Sequence, residues 1–288
     1  MIDLHTHSTA SDGCYTPTEL VDLAFEKGIK VMAITDHDTV SGLEEGEKEA
    51  RKKNIEFVRG IELSVEWPTG EFHLLGLGLK DISKSLSELI SNQKLSRENR
   101  NRCIVEKVNQ LEKMQNLGLK VTLEELQEKY GTQNIGRPHI ADYLFENKIV
   151  KTRQKAFDLY LAHGRPLYEK KEKCNLDEAI VAICDSGGVP VLAHPLSLYL
   201  SWGKLQELLP ELHERGIEGF EAWHPGTKLG EAKRLEELAF KNGFFVTAGS
   251  DFHGERVRKD RHLGHTTKDI KIDDRFYYEQ LLPHLARG

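Results

Sequence analysis

The chain has 288 residues, enough for one large domain or for a domain carrying a sizeable insertion. Hydrophobic residues make up 39% and charged residues 30%, a globular balance, and no run of 18 apolar residues marks a membrane-spanning helix. The net charge of −6 argues against broad electrostatic binding of duplex nucleic acid, yet leaves room for a small anionic substrate where bound cations add local positive charge.

No basic and apolar leader opens the sequence, so no secretory signal is expected. The four cysteines, Cys14, Cys103, Cys174 and Cys184, show no Cys-x-x-Cys spacing. Reduced thiols in a cytoplasmic protein are expected, with neither a disulfide framework nor a zinc ribbon.

In chain order, Ile2 and Leu4 alternate with Asp3, His5 and His7. A strand there puts both imidazoles on one face, about 7 Å apart, a spacing that suits two ligands of one ion. Asp12 follows in a Ser-Asp-Gly turn. Thr16, Pro17 and Glu19 form a capping box that starts a helix reaching Gly28. Residues 31–35 read as a strand buried on both faces, ending in Asp36-His37-Asp38, so the opening is a βαβ unit with parallel strands. A charged helix over about 42–54 leads to a strand at 57–63, with Glu62 near its end. A turn at 67–70 joins it to a strand at 72–77, with His73 near its start. A hairpin-like join makes these two strands antiparallel and brings Glu62 and His73 to the same end of the sheet.

Between residues 82 and 164 no strand is legible. Residues 87–115 read as one long polar helix, Thr122 and Glu125 as a capping box, and Gly136-Arg137-Pro138-His139 as another helix start. The expected organisation is a barrel domain of residues 1–81 and 165–288, interrupted by a helical insertion, 82–164, over the active site. The βα rhythm then resumes. Asn175 caps a helix, 189–193 is a buried strand followed by His194-Pro195, and a helix covers 205–215. Residues 219–223 form a strand followed by His224. A helix at about 228–242 leads to a strand at 244–249, which ends in Ser250-Asp251-Phe252-His253-Gly254. A terminal helix contains Leu281, Leu282 and Leu285.

The histidines and acids therefore gather at strand ends, where parallel α/β sheets and barrels build their sites. Buried carboxylates without cations repel one another and cost several kcal/mol each in desolvation. Mixed imidazole and carboxylate donors suit Zn, Mn or Fe, and Mg less well. Asp36 and His224 are the peripheral members of the set. His163, His213, His262, His265 and His284 read as solvated surface.

The series His5-Thr6-His7, Asp12-Gly13, Asp36-His37-Asp38, Glu62, His73, Ala193-His194-Pro195 and Gly249-Ser250-Asp251-Phe252-His253-Gly254 resembles the polymerase and histidinol phosphatase (PHP) family of metallophosphoesterases over nearly the whole chain. The resemblance implies a distorted (β/α)7 TIM-like barrel with a trinuclear centre, manganese being the foremost candidate metal. One ion would be held by His5, His7, Glu62 and Asp251. A second would be held by Glu62, His73 and His194, with Glu62 bridging, and a third by Asp12, His37 and His253. The Gly-Arg-Pro-His of the insertion resembles a branch acting on nucleoside 3′,5′-bisphosphates or removing nucleotides from the 5′ end of short RNA. It points to Arg137 and His139 as phosphate contacts, with Arg165, Lys170 and His224 as weaker substrate-binding candidates.

The expected mechanism is in-line attack by a hydroxide formed from metal-bound water, with no side-chain nucleophile and with His224 as a candidate acid. Ser8 and Cys14 lack an activating triad. The expected partner is a small nucleotide or short single-stranded RNA, with no duplex DNA, membrane or obligate protein. A histidinol-phosphatase-like enzyme and a non-catalytic metal- or nucleotide-binding module are the alternatives.

Overall fold

The structure is a computed structural model that describes residues 1–131, 135–170 and 173–286. The chain divides into two compact units, Met1–Ser91 with Lys173–Gly288, and Asn92–Glu172.

The first unit opens with β1 (Ile2–Asp3) and α1 (Pro17–Glu26). Both arms of the Thr16–Glu19 capping box are made, and Leu20, Val21 and Ala24 form the buried face of α1. β2 (Val31–Ile34) is wholly buried. α2 (Leu43–Lys53) carries acids in its first turn and bases in its last, matching the helix dipole, and ends on Asn54 in the left-handed region. β3 (Glu56–Val65) and β4 (Phe72–Leu77) pair antiparallel with Ser64 opposite His73, as a short turn between them requires.

α3 (Lys84–Asn109) follows, and its early residues Leu86 and Leu89 sit in the core of this first unit. That burial is why the division between units falls inside α3. A continuous helix over 87–115 is not observed: α3 ends at Asn109 and α4 (Glu112–Asn116) starts anew. The Asn109 carboxamide donates to the Val121 carbonyl (2.8 Å) and accepts from its N–H (3.0 Å). Those distant bonds hold Asn109 while Leu111 turns into extended backbone. α5 (Leu123–Tyr130) keeps its Thr122–Glu125 capping box. α6 (Arg137–Glu146) and α7 (Arg153–Ala156, continued by a π-turn at Phe157–Leu161) complete the second unit. Its own core includes Ile104, Val108, Met114, Leu126, Ile140, Leu144 and Leu161.

Back in the first unit come α8 (Leu176–Asp185), β5 (Val189–Leu192), α9 (Trp202–Glu214), β6 (Gly219–Trp223), α10 (Leu229–Lys241) and β7 (Phe245–Ala248). The seven strands lie in chain order in one sheet, with β4 antiparallel to both neighbours and the other pairs parallel. Beyond β7 the chain returns to the segment after β1: the Asp251 N–H donates to the His5 carbonyl and the His7 N–H to the Phe252 carbonyl, both at 2.9 Å. These bonds, with the parallel bridge Thr6–Phe252, nearly close the sheet into a barrel with helices around it. A hairpin of two-residue strands, β8 (His265–Thr266) and β9 (Ile270–Lys271), precedes a π-turn at Phe276–Leu281 and α11 (Leu282–Leu285). Strands this short leave no periodicity in the sequence. Among the described residues, no helix is long and apolar enough to cross a membrane.

His284 departs from the solvated reading: it bonds Glu218 (3.0 Å) and its ring lies 4.3 Å from that of Phe245. His213 is exposed but packs edge-on against Phe244, and His262 pairs with Asp269 at the surface.

Candidate metal centre

Glu62, wholly buried near the end of β3, is where the site converges. Its Oε2 faces His5 Nε2 (3.3 Å), His7 Nε2 (3.3 Å) and His37 Nδ1 (3.0 Å). Its Oε1 faces His73 Nδ1 and His194 Nε2, each at 2.9 Å. Five imidazoles from four segments thus share one carboxylate. Asp251 Oδ1 lies 3.3 Å from His7 Nε2 and 3.7 Å from His5 Nε2, and His253 Nε2 lies 3.2 Å from Asp12 Oδ1. The ligand atoms fall into four compact groups: His7, Asp12, His37 and His253; His5, His7 and Asp251; His5, Glu62 and His194; His37, Glu62 and His73. The nine residues singled out as ligands in the sequence are all included.

The backbone is bent to place them. His194 (φ 26°) and Asp251 (φ 50°) follow β5 and β7 in positive-φ conformations that non-glycine residues seldom adopt and that concentrate at functional sites. Asp3 is fully buried and ties the segments together, accepting from the N–H groups of His5, Ser250 and Gly264 and from the Ser250 hydroxyl. Asp36 belongs to this bracing and not to the ligand groups. It accepts from the Ser8 N–H and hydroxyl and from the Ser11 hydroxyl at 2.6–2.7 Å.

Two residues emerge that the sequence reading did not single out. Glu221, buried in β6, accepts from His5 Nδ1 (2.9 Å) and from the His194 backbone N–H (2.8 Å). The first bond fixes the His5 tautomer so that Nε2 is free to ligate, the usual partner of a metal-bound histidine. Its one signal was an acid inside an apolar strand, three residues before His224. Arg261, 4% exposed, sends Nη1 to His224 Nε2 (3.2 Å), and its Nη2 is 3.9 Å from Asp251 Oδ2. It was hidden in the charged run 255–261, which reads as solvated loop.

Charge is unevenly distributed among these groups. Burial opposes charge on His5, but Glu221 and Glu62 overcome it and hold the ring well above its ordinary pKa. Burial likewise opposes charge on His7, and the Asp251 and Glu62 carboxylates 3.3 Å from its Nε2 raise it to about 10. Glu62 and Asp251 resist burial through the surrounding imidazoles and stay well below the carboxylate range. Burial lowers the His224 pKa. Gly226 N–H and Arg261 approach its two ring nitrogens. The Asp251 carboxylate also faces Nε2 (3.2 Å) and works against the burial.

The residues fit divalent cations. Among the described residues, His5 Nε2, both His7 ring nitrogens, His37 Nδ1 and Glu62 Oε2 are buried without a hydrogen-bond partner, yet they face one another. Buried polar atoms left unpaired cost about 1–3 kcal/mol each, so a cluster of them pointing at shared space is a cation cradle. Beside it a cleft of about 450 Å³ is lined by six of the candidate ligands and by Glu71, Ser197, Tyr199, His224, Arg258 and Arg261.

Arg137, His139 and Arg165 lie in the second unit. Arg137 Nη1 donates to the Leu161 carbonyl (3.4 Å) with the guanidinium over Tyr168, and His139 Nδ1 accepts from the Gly136 N–H (3.0 Å). Arg165 is exposed at a turn.

Residues 3–180 match the family model of the PHP domain. The chain is 33% identical to a 5′-3′ exoribonuclease of Haemophilus influenzae, covering 87% of this chain and 89% of that one. It is 30% identical to a 3′,5′-nucleoside bisphosphate phosphatase of Chromobacterium violaceum, over 92% and 91%. The solved structure of a protein from Bifidobacterium adolescentis, named for metal-dependent phosphoesterase activity, superposes with a TM-score of 0.79 at 29% identity, covering 99% and 96%. With its barrel fold and clustered imidazoles and carboxylates, the chain belongs to the PHP-domain family and is a metal-dependent phosphoester hydrolase.

Proposed function

We propose that this hydrolase acts on nucleotides, releasing the 3′-phosphate of nucleoside 3′,5′-bisphosphates, trimming short RNA from its 5′ end, or both. The relatives named for these two activities support the substrate class. The observation that carries the chemistry is the sharing of Glu62, with three imidazole nitrogens on one oxygen and two on the other. A carboxylate so divided suits the bridge of a multinuclear centre. We assign one ion to His5, His7, Glu62 and Asp251, a second to Glu62, His73 and His194, and a third to Asp12, His37 and His253, with manganese the metal to test first.

Divalent cations held there would make water nucleophilic at neutral pH and neutralise phosphoryl oxygens. The chain's own side chains do the positioning. Arg258 and Arg261 bring guanidinium groups to the cleft wall, suited to nonbridging phosphate oxygens. Glu221 and Ser197 hold His5 and His194 in their orientations. No side-chain nucleophile is required: the Ser8 hydroxyl is committed to Asp36, and Cys14 packs its sulfur on Gly254. The resemblance adds Arg137 and His139, and more weakly Arg165, as phosphate contacts.

The test is phosphate release from adenosine 3′,5′-bisphosphate with added Mn²⁺, before and after chelation. Release that chelation abolishes supports the reading. Release from histidinol phosphate but not from the bisphosphate overturns the nucleotide assignment.

A further inference from the structure

We infer that Tyr199 is the platform on which the substrate's nucleobase stacks, an inference that rests on the nucleotide reading above. Tyr199 lines the cleft beside the candidate metal centre, yet the residue is 81% exposed. Exposed aromatic rings on a soluble surface are common singly and by themselves mean little. This one differs in how it is mounted.

The backbone at Tyr199 is left-handed (φ 52°, ψ 34°), a conformation that is an outlier for a bulky residue. The segment leading to it is pinned from several sides. Ser197 Oγ bonds His194 Nδ1 (2.9 Å) and donates to the Glu71 carbonyl (2.7 Å). The Glu71 N–H donates to the Ser197 carbonyl (2.8 Å), and the Thr69 hydroxyl donates to the Leu198 carbonyl (3.1 Å). Gly70 packs so closely that a Cβ there would lie 2.2 Å from the Ser197 carbonyl oxygen. Leu198, just before Tyr199, is fully buried.

The turn between β3 and β4 therefore clamps a rigid bracket. At one end stands His194, bonded to Glu62, and at the other the Tyr199 ring faces water. A strained backbone that displays an aromatic ring returns nothing to stability. It does pre-organise a flat apolar surface a few residues from the groups that handle phosphate. Bases stack on such surfaces with little regard to sequence, which matches a substrate read mainly through its phosphates and sugar. The class of ligand is thus a phosphorylated nucleoside and not a small aliphatic phosphoester.

The experiment compares the Mn²⁺-loaded wild type with Tyr199→Ala and Tyr199→Phe on adenosine 3′,5′-bisphosphate and on its abasic analogue, 1-deoxyribose 3,5-bisphosphate. Binding of adenosine 5′-monophosphate by calorimetry is measured alongside. The ring is exposed, so thermal melting should show both variants folded. The expected result for Tyr199→Ala is a rise of about 5- to 150-fold in KM for the nucleotide and a matching loss of AMP affinity, by the usual range for removing one stacking ring. The wild type's preference for nucleotide over abasic substrate should collapse toward one, and Tyr199→Phe should restore it. A wild type that turns over both substrates with equal KM, or a Tyr199→Ala variant that keeps the preference, overturns the stacking role and leaves the nucleotide reading standing. A wild type that hydrolyses neither overturns that reading, and the platform with it.

Discussion

Gly249 approaches His5 so closely that a Cβ added to it would lie 2.2 Å from the His5 Cβ and 2.8 Å from Glu221 Oε1. The strand end that delivers Asp251 is thus pressed against His5 in the segment after β1, and only a residue without a side chain fits. Gly249→Ala should force His5 and Glu221 apart. It is expected to lower stability by about 1–3 kcal/mol, the usual effect of overpacking, and to reduce metal content. Gly230→Ala, at the exposed start of α10 with nothing within 4 Å of its added Cβ, is the control and should be neutral or slightly stabilising. Thermal melts and metal analysis of the two variants check the contrast.

Glu221 touches no substrate, but it sets the ring orientation of His5 and anchors the His194 backbone. Glu221→Gln keeps the shape and removes the charge. Metal affinity should fall about 10- to 100-fold with the fold intact, as for other partners that orient a ligand histidine. Calorimetric titration with Mn²⁺ measures this, and unchanged affinity would mean that Glu221 is only packing.

In the metal-free protein, His7 holds its proton up to about pH 10, because the Asp251 and Glu62 carboxylates 3.3 Å from its Nε2 outweigh the burial that opposes charge. The unfolded chain releases that proton near 6.5, so the stability this group contributes is complete below 6.5 and is lost as pH rises toward 10. Glu62 and Asp251 act with the opposite sign: burial resists their charge, the imidazoles hold them low, and their contribution is present above the carboxylate range and lost in acid. A metal bound at His7, as proposed, must displace its proton, so apparent affinity should rise about tenfold per pH unit per proton displaced, up to pH 10. Melting curves of metal-free protein should decline above neutrality, and Mn²⁺ binding should strengthen over the same range. Affinity flat between pH 6 and 8 would contradict the proton–metal competition.

Much of this architecture was legible in the sequence because hydrophobic runs, capping boxes and chemistry-bearing residues fell into one rhythm. Thr16–Glu19 and Thr122–Glu125 announced their helices by local bonds alone, and the order of wholly apolar strands with His or Asp at their ends located the site. What could not be read depends on partners far away in the chain. Asn109 ends α3 because of Val121, 12 residues on, and Glu221 matters because of His5, 216 residues away. Arg261 sits in a charged run indistinguishable from surface until the fold turns it onto His224 and Asp251. Asp36 looked like a neighbour of the ligands and is instead the brace of the loop carrying Ser8 and Ser11.

If Glu62 bridges cations shared by the imidazoles around it, its removal should empty the site. Metal content per chain and phosphate release from adenosine 3′,5′-bisphosphate, measured together for the wild type and for Glu62→Ala, test this. Up to three ions per wild-type chain are expected, with metal and turnover lost together in the variant and near-native secondary structure retained. A Glu62→Ala protein with full metal content and full turnover would show that Glu62 is not the bridge.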